Sequence, residues 1–328
     1  MRILYLTDTH IRGTTPKNRK DNLLETLQLK FEEVLEISKK YNVDYILHGG
    51  DFFDRPDISN SIARKFALIL SKFDVPIYVI AGNHDVYGHN PETLHRTLLG
   101  LFDALGILNL IDSNDKIILK KENIKVQITG QNYRYDIDTD KSKKGYIVKE
   151  KQKGVDYLIH VVHGMLLDRP FIKGIPYTLI EDIVKTKADI TLCGHYHSGF
   201  GVIKIDNKYF VNPGSLIRIT NSLQEIERKP KIAIIDLKKE INIDLIPLKK
   251  AKSGKEILDR KQIEMFIYRN ERIMQFKQSI DSSSEFEKLD ITHILNSLAN
   301  TDGISKAVKD EAINRIGVAQ MYFKGDDE

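Results

Sequence analysis

A chain of 328 residues with 41% apolar content and a formal charge of +4 is long enough to bury a large core, as one big domain with an appendage or as two domains. No apolar run approaches the roughly 20 residues that a membrane span requires, and the single cysteine, Cys193, has no partner for an internal disulfide. The mild basic excess permits a nucleic-acid partner without demanding one, and a reducing, cytoplasmic location is the expectation.

The first predicted strand, residues 3–7, runs out into Asp8-Thr9-His10. The loop from Arg12 to Lys20 carries four cations (Arg12, Lys17, Arg19 and Lys20) and no acid. It suits solvent or, starting two residues after His10, a phosphate. Leu24, Leu27, Phe31, Val34 and Leu35 then recur at helical spacing. The strand at 44–50 ends in Asp51-Phe52-Phe53-Asp54. A second helix is marked by Ile62, Phe66, Ile69, Leu70 and Phe73, and a third strand at 76–81 ends in Gly82-Asn83-His84-Asp85. Residues 1–85 therefore predict β-α-β-α-β, a mostly parallel sheet with helices packed on it.

Residues 91–105 predict another helix with Leu94, Leu98, Leu101, Phe102 and Leu105 on one face, followed by short strands at 107–111, 116–119 and 124–129. Residues 131–154 are polar and lysine-rich without a clear period, an irregular excursion with room for mobility. A strand at 155–162 ends in His163-Gly164. A short helix at 175–185 precedes the strand at 189–194, which ends in His195-Tyr196-His197. A hairpin turned by Asp206-Asn207 follows. Asn212-Pro213-Gly214-Ser215 breaks it, and strands at 232–237 and 241–248 close the domain. After a basic link at 249–255 the texture changes. Ile263, Phe266, Ile267, Ile273 and Met274 suit an amphipathic helix. Ser282-Ser283-Ser284 with Glu285 and Glu287 suits a helix start. Ile304, Ala307, Val308, Ala312, Ile316 and Ala319 suit a last helix, ended by Met321, Tyr322 and Phe323. The expected division is a catalytic domain over 1–250 and a helical region over 251–328. That region is either packed on the core or a docking element for a partner.

Five strands thus deliver polar side chains at the same end, where α/β sheets place their ligands. Asp8, His10, Asp51, Asn83, His163, His195 and His197 offer nitrogen and oxygen donors suited to first-row transition metals. Seven candidates exceed one tetrahedral zinc and suit two ions sharing a carboxylate, the arrangement that activates water and clamps the oxygens of a phosphate. His84 and Asp54 remain. A His84–Asp54 pair would orient the imidazole to serve a leaving oxygen. Arg55 either meets phosphate or caps its loop. His48 and His160, inside strands, suit satisfied core positions.

The set Asp8-x-His10, Gly50-Asp51-x-x-Asp54, Gly82-Asn83-His84-Asp85, His163-Gly164 and Gly194-His195-x-His197, in this order, resembles the calcineurin-like metallophosphoesterase superfamily over roughly residues 1–215. The resemblance implies an α/β/β/α four-layer sandwich. It also implies a dinuclear centre with Asp8, His10, Asp51 and His197 on one ion and Asp51, Asn83, His163 and His195 on the other, with His84, paired to Asp54, as proton donor or phosphate stabiliser. The strand-to-Asp8 start, the basic loop to Arg19-Lys20-Asp21, Tyr41-Asn42-Val43-Asp44, Asn212-Pro213-Gly214-Ser215 and Ile246-Pro247-Leu248 resemble the SbcD branch of DNA-repair exonucleases. That branch implies a DNA exo- or endonuclease of repair or recombination with two divalent ions, Mn2+ first and Mg2+, Fe2+ or Zn2+ as alternatives. Its implied partners are DNA, an SbcC-type ATPase docked on C-terminal helices, and a second copy meeting through helices near 61–73 and 91–105. A tail of this length is short for a full cap plus docking helices, as in compact phage and bacterial versions. The alternatives are a general or small-molecule phosphodiesterase and a non-enzymatic adaptor. A Ser/Thr phosphatase fits less well, because Asp85 stands where those enzymes carry Glu.

Overall fold

The computed structural model describes residues 1–261 and, beyond them, 264, 265, 268, 269, 271–275, 305, 307, 308, 310–312 and 315. Alternation along the first strand, β1 (Arg2–Leu6), sets the layers: Ile3 and Tyr5 face one way, Leu4 and Leu6 the other, and all four are buried. A strand apolar on both faces belongs inside a sheet covered on both sides.

The chain continues through α1 (Leu23–Lys40), β2 (Tyr45–His48), α2 (Asn60–Leu70) and β3 (Ile77–Val79). Two 3-10 turns, Tyr87–His89 and Pro91–Arg96, lead to α3 (Leu98–Ala104) and β4 (Asn109–Leu110). Next come β5 (Ile117–Lys121), β6 (Ile124–Gln131), β7 (Tyr157–Gly164), β8 (Leu166–Leu167), β9 (Thr178–Leu179), α4 (Ile180–Ile183) and β10 (Ile190–His195). The hairpin β11 (Gly201–Ile205) and β12 (Lys208–Asn212), then α5 (Leu223–Glu227), β13 (Lys231–Leu237), β14 (Ile241–Pro247) and α6 (Gly254–Ile257) complete the order. One sheet runs β14-β13-β1-β2-β3-β4 and the other β11-β12-β10-β7-β6-β5. Both are mixed: β1, β2, β3 and β4 pair in parallel, as do β6, β7, β10 and β12, while hairpins close the edges antiparallel.

Ile3, Tyr5 and Leu47 from the first sheet meet Ile128, Ile159, Val161 and Leu192 from the second in the central core. The outer face of the first sheet, with Leu4, Leu6 and Ile46, packs on Leu27, Phe31 and Phe66 of the helices. The outer face of the second, with Val162, Cys193 and Phe210, packs on Ile180, Ile183, Ile137 and Tyr146. The expected α/β/β/α sandwich is what forms. Phe31 meets Phe52 and Phe66 edge-on, with centroids 6.3 and 5.4 Å away. Truncating such a ring costs about 3–5 kcal/mol and would loosen the loop that carries Asp51.

Three expectations change. The helix expected over 91–105 is broken at Thr97, whose Oγ1 caps α3 by accepting from the Gly100 N–H at 3.2 Å. The restart rotates the buried face onto Leu99 and Phe102, leaving Leu101 51% and Leu105 64% exposed. The expected helix at 175–185 shrinks to β9 and the single turn α4. The excursion at 131–154 is packed: Ile137 and Tyr146 are buried, and the Asp138 carboxylate accepts from the Tyr146 hydroxyl (2.6 Å), Thr178 Oγ1 (2.9 Å) and the Met165 N–H (2.9 Å). Its apolar residues are too far apart in sequence to show a period.

Contacts divide the chain into one unit over Met1–Arg260 and another over Lys261–Glu328. Segment 249–255 lies in the first unit, where the Glu33 carboxylate of α1 accepts from the Lys249 and Lys250 N–H groups at 2.6 and 2.8 Å. In the second unit, Ile273 and Met274 lie in a helical stretch, and Ala307, Val308 and Ala312 are also helical. Ile263, Phe266, Ile267, Ser282-Ser283-Ser284, Glu285, Glu287, Ile304, Ile316, Ala319, Met321, Tyr322 and Phe323 lie outside the described residues.

Candidate metal centre

The candidate donors come from the loops at the carboxyl ends of β1, β2, β3, β7 and β10, and the first two of these loops are laced together before any side chain acts. Asp8 N–H donates to Gly50 O (3.1 Å), His10 N–H to Asp51 O (3.0 Å), and Ile11 N–H to Phe52 O (2.9 Å). Asp8, His10, Asp51 and His195 hold φ values of 52°, 40°, 50° and 73°. The left-handed region costs a residue with a Cβ of order 1–3 kcal/mol, and four of the sequence-predicted donors sit there. Gly82 is required by a close approach: a Cβ on it would stand 2.1 Å from Asp51 Oδ1.

These loops bring the predicted donors together. Asp8, His10, Asp51 and His197 present one ligand atom each within 4.8 Å of one another, and Asp51, His163 and His195 do the same. Asp51 Oδ2 is 3.6 Å from His10 Nε2 and 3.3 Å from His163 Nε2. His10 Nε2 and His197 Nε2 are 3.0 Å apart, and His197 Nε2 is 3.5 Å from Asp8 Oδ1. Asn83 Oδ1 lies 3.2 Å from His163 Nε2. Such spacings suit atoms that each bind a common ion at roughly 2.0–2.2 Å. The His163 Nδ1–H donates to Gly49 O at 2.7 Å, because a carbonyl only accepts. That leaves Nε2 facing Asp51, where it becomes the lone pair that metal-binding imidazoles offer once its own proton is released.

The electrostatics point the same way. Burial pushes His10 down to about 3 and His195 down to about 4, so both are neutral donors. Burial opposes charge on His163 as well, but the Asp51 carboxylate overrides it and holds the ring up at about 9. His197 is raised against burial by its bond to Asp8. Burial raises the Asp8 carboxyl, yet His197 and His163 outweigh it and hold Asp8 below the ordinary carboxylate range, and Asp51 is held down in the same way, chiefly by His163. The second proton on His163 does the work that a cation would do in its place, and ion binding would release it.

Two sequence expectations need revision. The Asp54 carboxylate stands within 4.8 Å of a His84 ring nitrogen but makes no hydrogen bond to it. Its Oδ1 accepts from Arg12 Nη1 at 3.1 Å and lies 3.9 Å from His10 Nδ1, a buried nitrogen without a hydrogen-bond partner. His84 Nδ1–H instead donates to the Asp54 backbone carbonyl at 2.9 Å, which leaves Nε2 exposed. Arg19, expected at a substrate, is 7% exposed and donates to the Asp21 carboxylate and Arg218 O. Lys17, Lys20 and Arg55 are exposed, and Arg12 and Arg55 line a cavity of about 330 Å³ with Asp54. His48 and His160 are satisfied core residues: His48 bonds Thr9 Oγ1 and the Gly50 N–H, and His160 bonds Thr129 Oγ1 and Gly145 O.

Asp85 was not singled out for a role in the site. Its buried carboxylate accepts from the Phe52, Phe53 and Gly82 N–H groups at 3.1, 2.9 and 2.9 Å, latching two of the site loops together. Burial and then the Asp51 charge push it up to about 7. The available signal was an acid at the end of a motif with no donor role left for it. Tyr133 was also missed; its ring stands 5.8 Å from His195 and 6.1 Å from His163.

Two mixed sheets whose joined ends carry a cluster of histidines and aspartates define a metal-dependent phosphoesterase. Residues 1–199 match the family described as calcineurin-like phosphoesterase, and the chain belongs to that family. It is similar to the DNA double-strand break repair protein Mre11 of Sulfolobus acidocaldarius, 25% identical over 237 residues, 71% of this chain and 56% of that protein. The double-strand break repair protein MRE11 of Encephalitozoon cuniculi is 27% identical over 300 residues, 80% of this chain and 50% of that protein. The protein of Escherichia phage T5 named "Probable exonuclease subunit 1" is 27% identical over 121 residues, 37% of this chain and 35% of that protein. The chain thus spans about half the length of the first two. Among the described residues no helix is long and apolar enough to cross a membrane.

Proposed function

We propose that this chain is a two-metal DNA phosphodiesterase of repair or recombination. The observation that carries the reading is the place of Asp51, whose one oxygen Oδ2 faces both His10 and His163 and so links the two donor groups. Asp8, His10, Asp51 and His197 would hold one divalent ion, and Asp51, Asn83, His163 and His195 the other, with Mn2+ the first candidate. When bound, such a pair neutralises phosphoryl charge and supplies a nucleophile at neutral pH. Carbonyl bonds fix the protons of His163 and His84 on Nδ1. With Nδ1 so engaged, a charged His84 presents Nε2–H toward a leaving oxygen, the role of a general acid. Asp54 orients the His84 imidazole through its carbonyl.

DNA as substrate is supported by relatives named for DNA double-strand break repair, and an SbcC-type ATPase bound by the C-terminal helices belongs to the same reading. A second copy is supported by the exposed Leu68 of α2 and Leu101 of α3. The 251–328 region would then be a reduced cap or the docking element. One observation favours a general phosphodiesterase instead. Of the four cations in the loop after β1, Arg19 is consumed internally and Arg12 is engaged by Asp54 and Thr14. The test is hydrolysis with Mn2+ of linear single- and double-stranded DNA beside bis-(p-nitrophenyl) phosphate, over a salt series. DNA cleavage weakened by salt is expected. Turnover of the small ester with DNA left intact, including when the ATPase partner is supplied, would move the assignment to the general enzyme.

A further inference from the structure

The turn that carries His195 and His197 has a second side. Tyr196, between them, lines a cavity of about 350 Å³ together with Phe200, Arg169, Lys229 and Lys231. The turn is rigid: Gly199 N–H donates to Tyr196 O at 3.0 Å, Asn212 Nδ2 donates to Tyr196 O at 3.0 Å, and Ser215 N–H donates to His197 O at 2.9 Å. Phe171 meets the Tyr196 ring edge-on at 6.2 Å. The cationic groups differ in availability. Arg228 also lines the cavity, but its guanidinium is spent on Glu225 and on the carbonyls of Ser215 and Ile217. The ammonium groups of Lys229 and Lys231 have no partner among the described residues. The one opposing acid is Asp168, 4.0 Å from Arg169.

We propose that this cavity receives the nucleotide next to the one cut, stacking an unpaired base on Tyr196 and Phe200 and holding its phosphate with Lys229 and Lys231. The inference rests on the DNA reading above and narrows it to a strand that is single at the site. Its volume reaches the range of small-molecule sites. Aromatic faces beside a cationic wall are what sequence-tolerant single-strand binding uses, and a base must leave its duplex to stack there. Because the cavity and the donor cluster are two sides of one turn, a base seated in the cavity fixes the position of the neighbouring phosphodiester at the cluster.

The test is fluorescence anisotropy with the full chain and a labelled phosphorothioate oligothymidylate, which resists cleavage. Wild type, Lys229→Glu/Lys231→Glu and the milder Lys229→Gln/Lys231→Gln are compared over a salt series. The reversal should raise Kd at least tenfold, and the neutral pair should lower the slope of log Kd against log salt by about 0.7, one single-strand phosphate neutralised. Phe200→Leu should weaken the base-bearing strand roughly fivefold or more and leave an abasic strand unchanged. Hydrolysis of bis-(p-nitrophenyl) phosphate, which has no second nucleotide, reports whether the metal centre survives each substitution. Wild-type binding matched by both lysine variants overturns the inference, as does equal loss on a blunt duplex and on a single strand. A wild type that turns over the small ester but binds neither strand overturns the DNA reading itself, and this inference with it.

Discussion

Two groups of buried charge flank Asp8, and they are built on opposite logic. The donor cluster brings histidines and aspartates into mutual contact, with few hydrogen bonds between side chains and four strained backbone positions. The other group is a knot of cations that spend themselves on carbonyls. Lys30 Nζ donates to Leu216 O at 2.6 Å, Arg19 Nη1 to Arg218 O, Arg218 to Arg228 O and Lys252 O, and Arg228 to Ser215 O, Ile217 O and the Glu225 carboxylate. The two are joined by one residue: Ser215 Oγ donates to Asp8 O at 2.7 Å, and its own carbonyl is held by Arg228. The knot satisfies its polar atoms within the chain, so it stabilises the fold. The cluster turns its donor atoms toward common points, where the proton on His163 holds the charges together and a bound ion would replace it. The first arrangement is structural and the second is chemical, although both bury most of their charge.

This contrast is broken most directly at Asp51. Asp51→Ala should abolish metal retention, read by elemental analysis, and lower ester hydrolysis on the order of a thousandfold or more, the several kcal/mol that metal ions contribute. Its melting point should be insensitive to chelator, whereas chelation should lower that of the wild type, because a ligand that binds only the folded state stabilises it. Retained metal in Asp51→Ala would remove the residue from its bridging place. His84→Ala should keep metal and DNA binding and lose on the order of a hundredfold in turnover. Loss of both ions there would show that His84 holds the centre instead of serving the leaving group.

The knot predicts the opposite pattern. Arg228→Ala leaves the buried Glu225 carboxylate uncompensated and should cost about 3–5 kcal/mol in denaturant unfolding, with metal content per folded molecule near that of wild type. An equal loss of metal would mean that the knot sets the geometry of Asp8 and is not merely its support.

How far these groups were legible follows from sequence distance. Each donor stands directly after an apolar strand, so Asp8, His10, Asp51, Asn83, His163, His195 and His197 could be placed at one sheet end from the chain alone, and the structure brings them together. The parallel sheet and its first two helices were legible for the same reason: period and boundary fall within a few residues. The knot was not. Lys30 and Leu216 are 186 residues apart, and a lysine on a helix otherwise rich in charge reads as solvated. Asp54 was placed correctly beside His84, but its carboxylate was claimed by Arg12, a competition that only the folded loops reveal. The break at Thr97 was missed because both half-helices keep apolar residues at helical spacing.

The finest distinction between the two groups is how they answer to pH. In the cluster, titration is masked by whatever ion is bound; in the knot it is open. Burial, and then the charges of Arg218 and Arg228, pushes the Lys30 ammonium well below its ordinary value. A lysine depressed in the folded state binds fewer protons there than in the unfolded chain, between its folded value and the ordinary lysine value of about 10.4. Stability therefore rises with pH across that window. Wild type compared with Lys30→Met in denaturant melts at stepped pH up to 10 should show this directly: the wild type gains on the variant as pH rises, because the variant has no proton to lose. Parallel curves would mean that the Leu216 carbonyl and Asp21 hold Lys30 charged throughout, and the knot would then be a set of fixed cations with no titrating member.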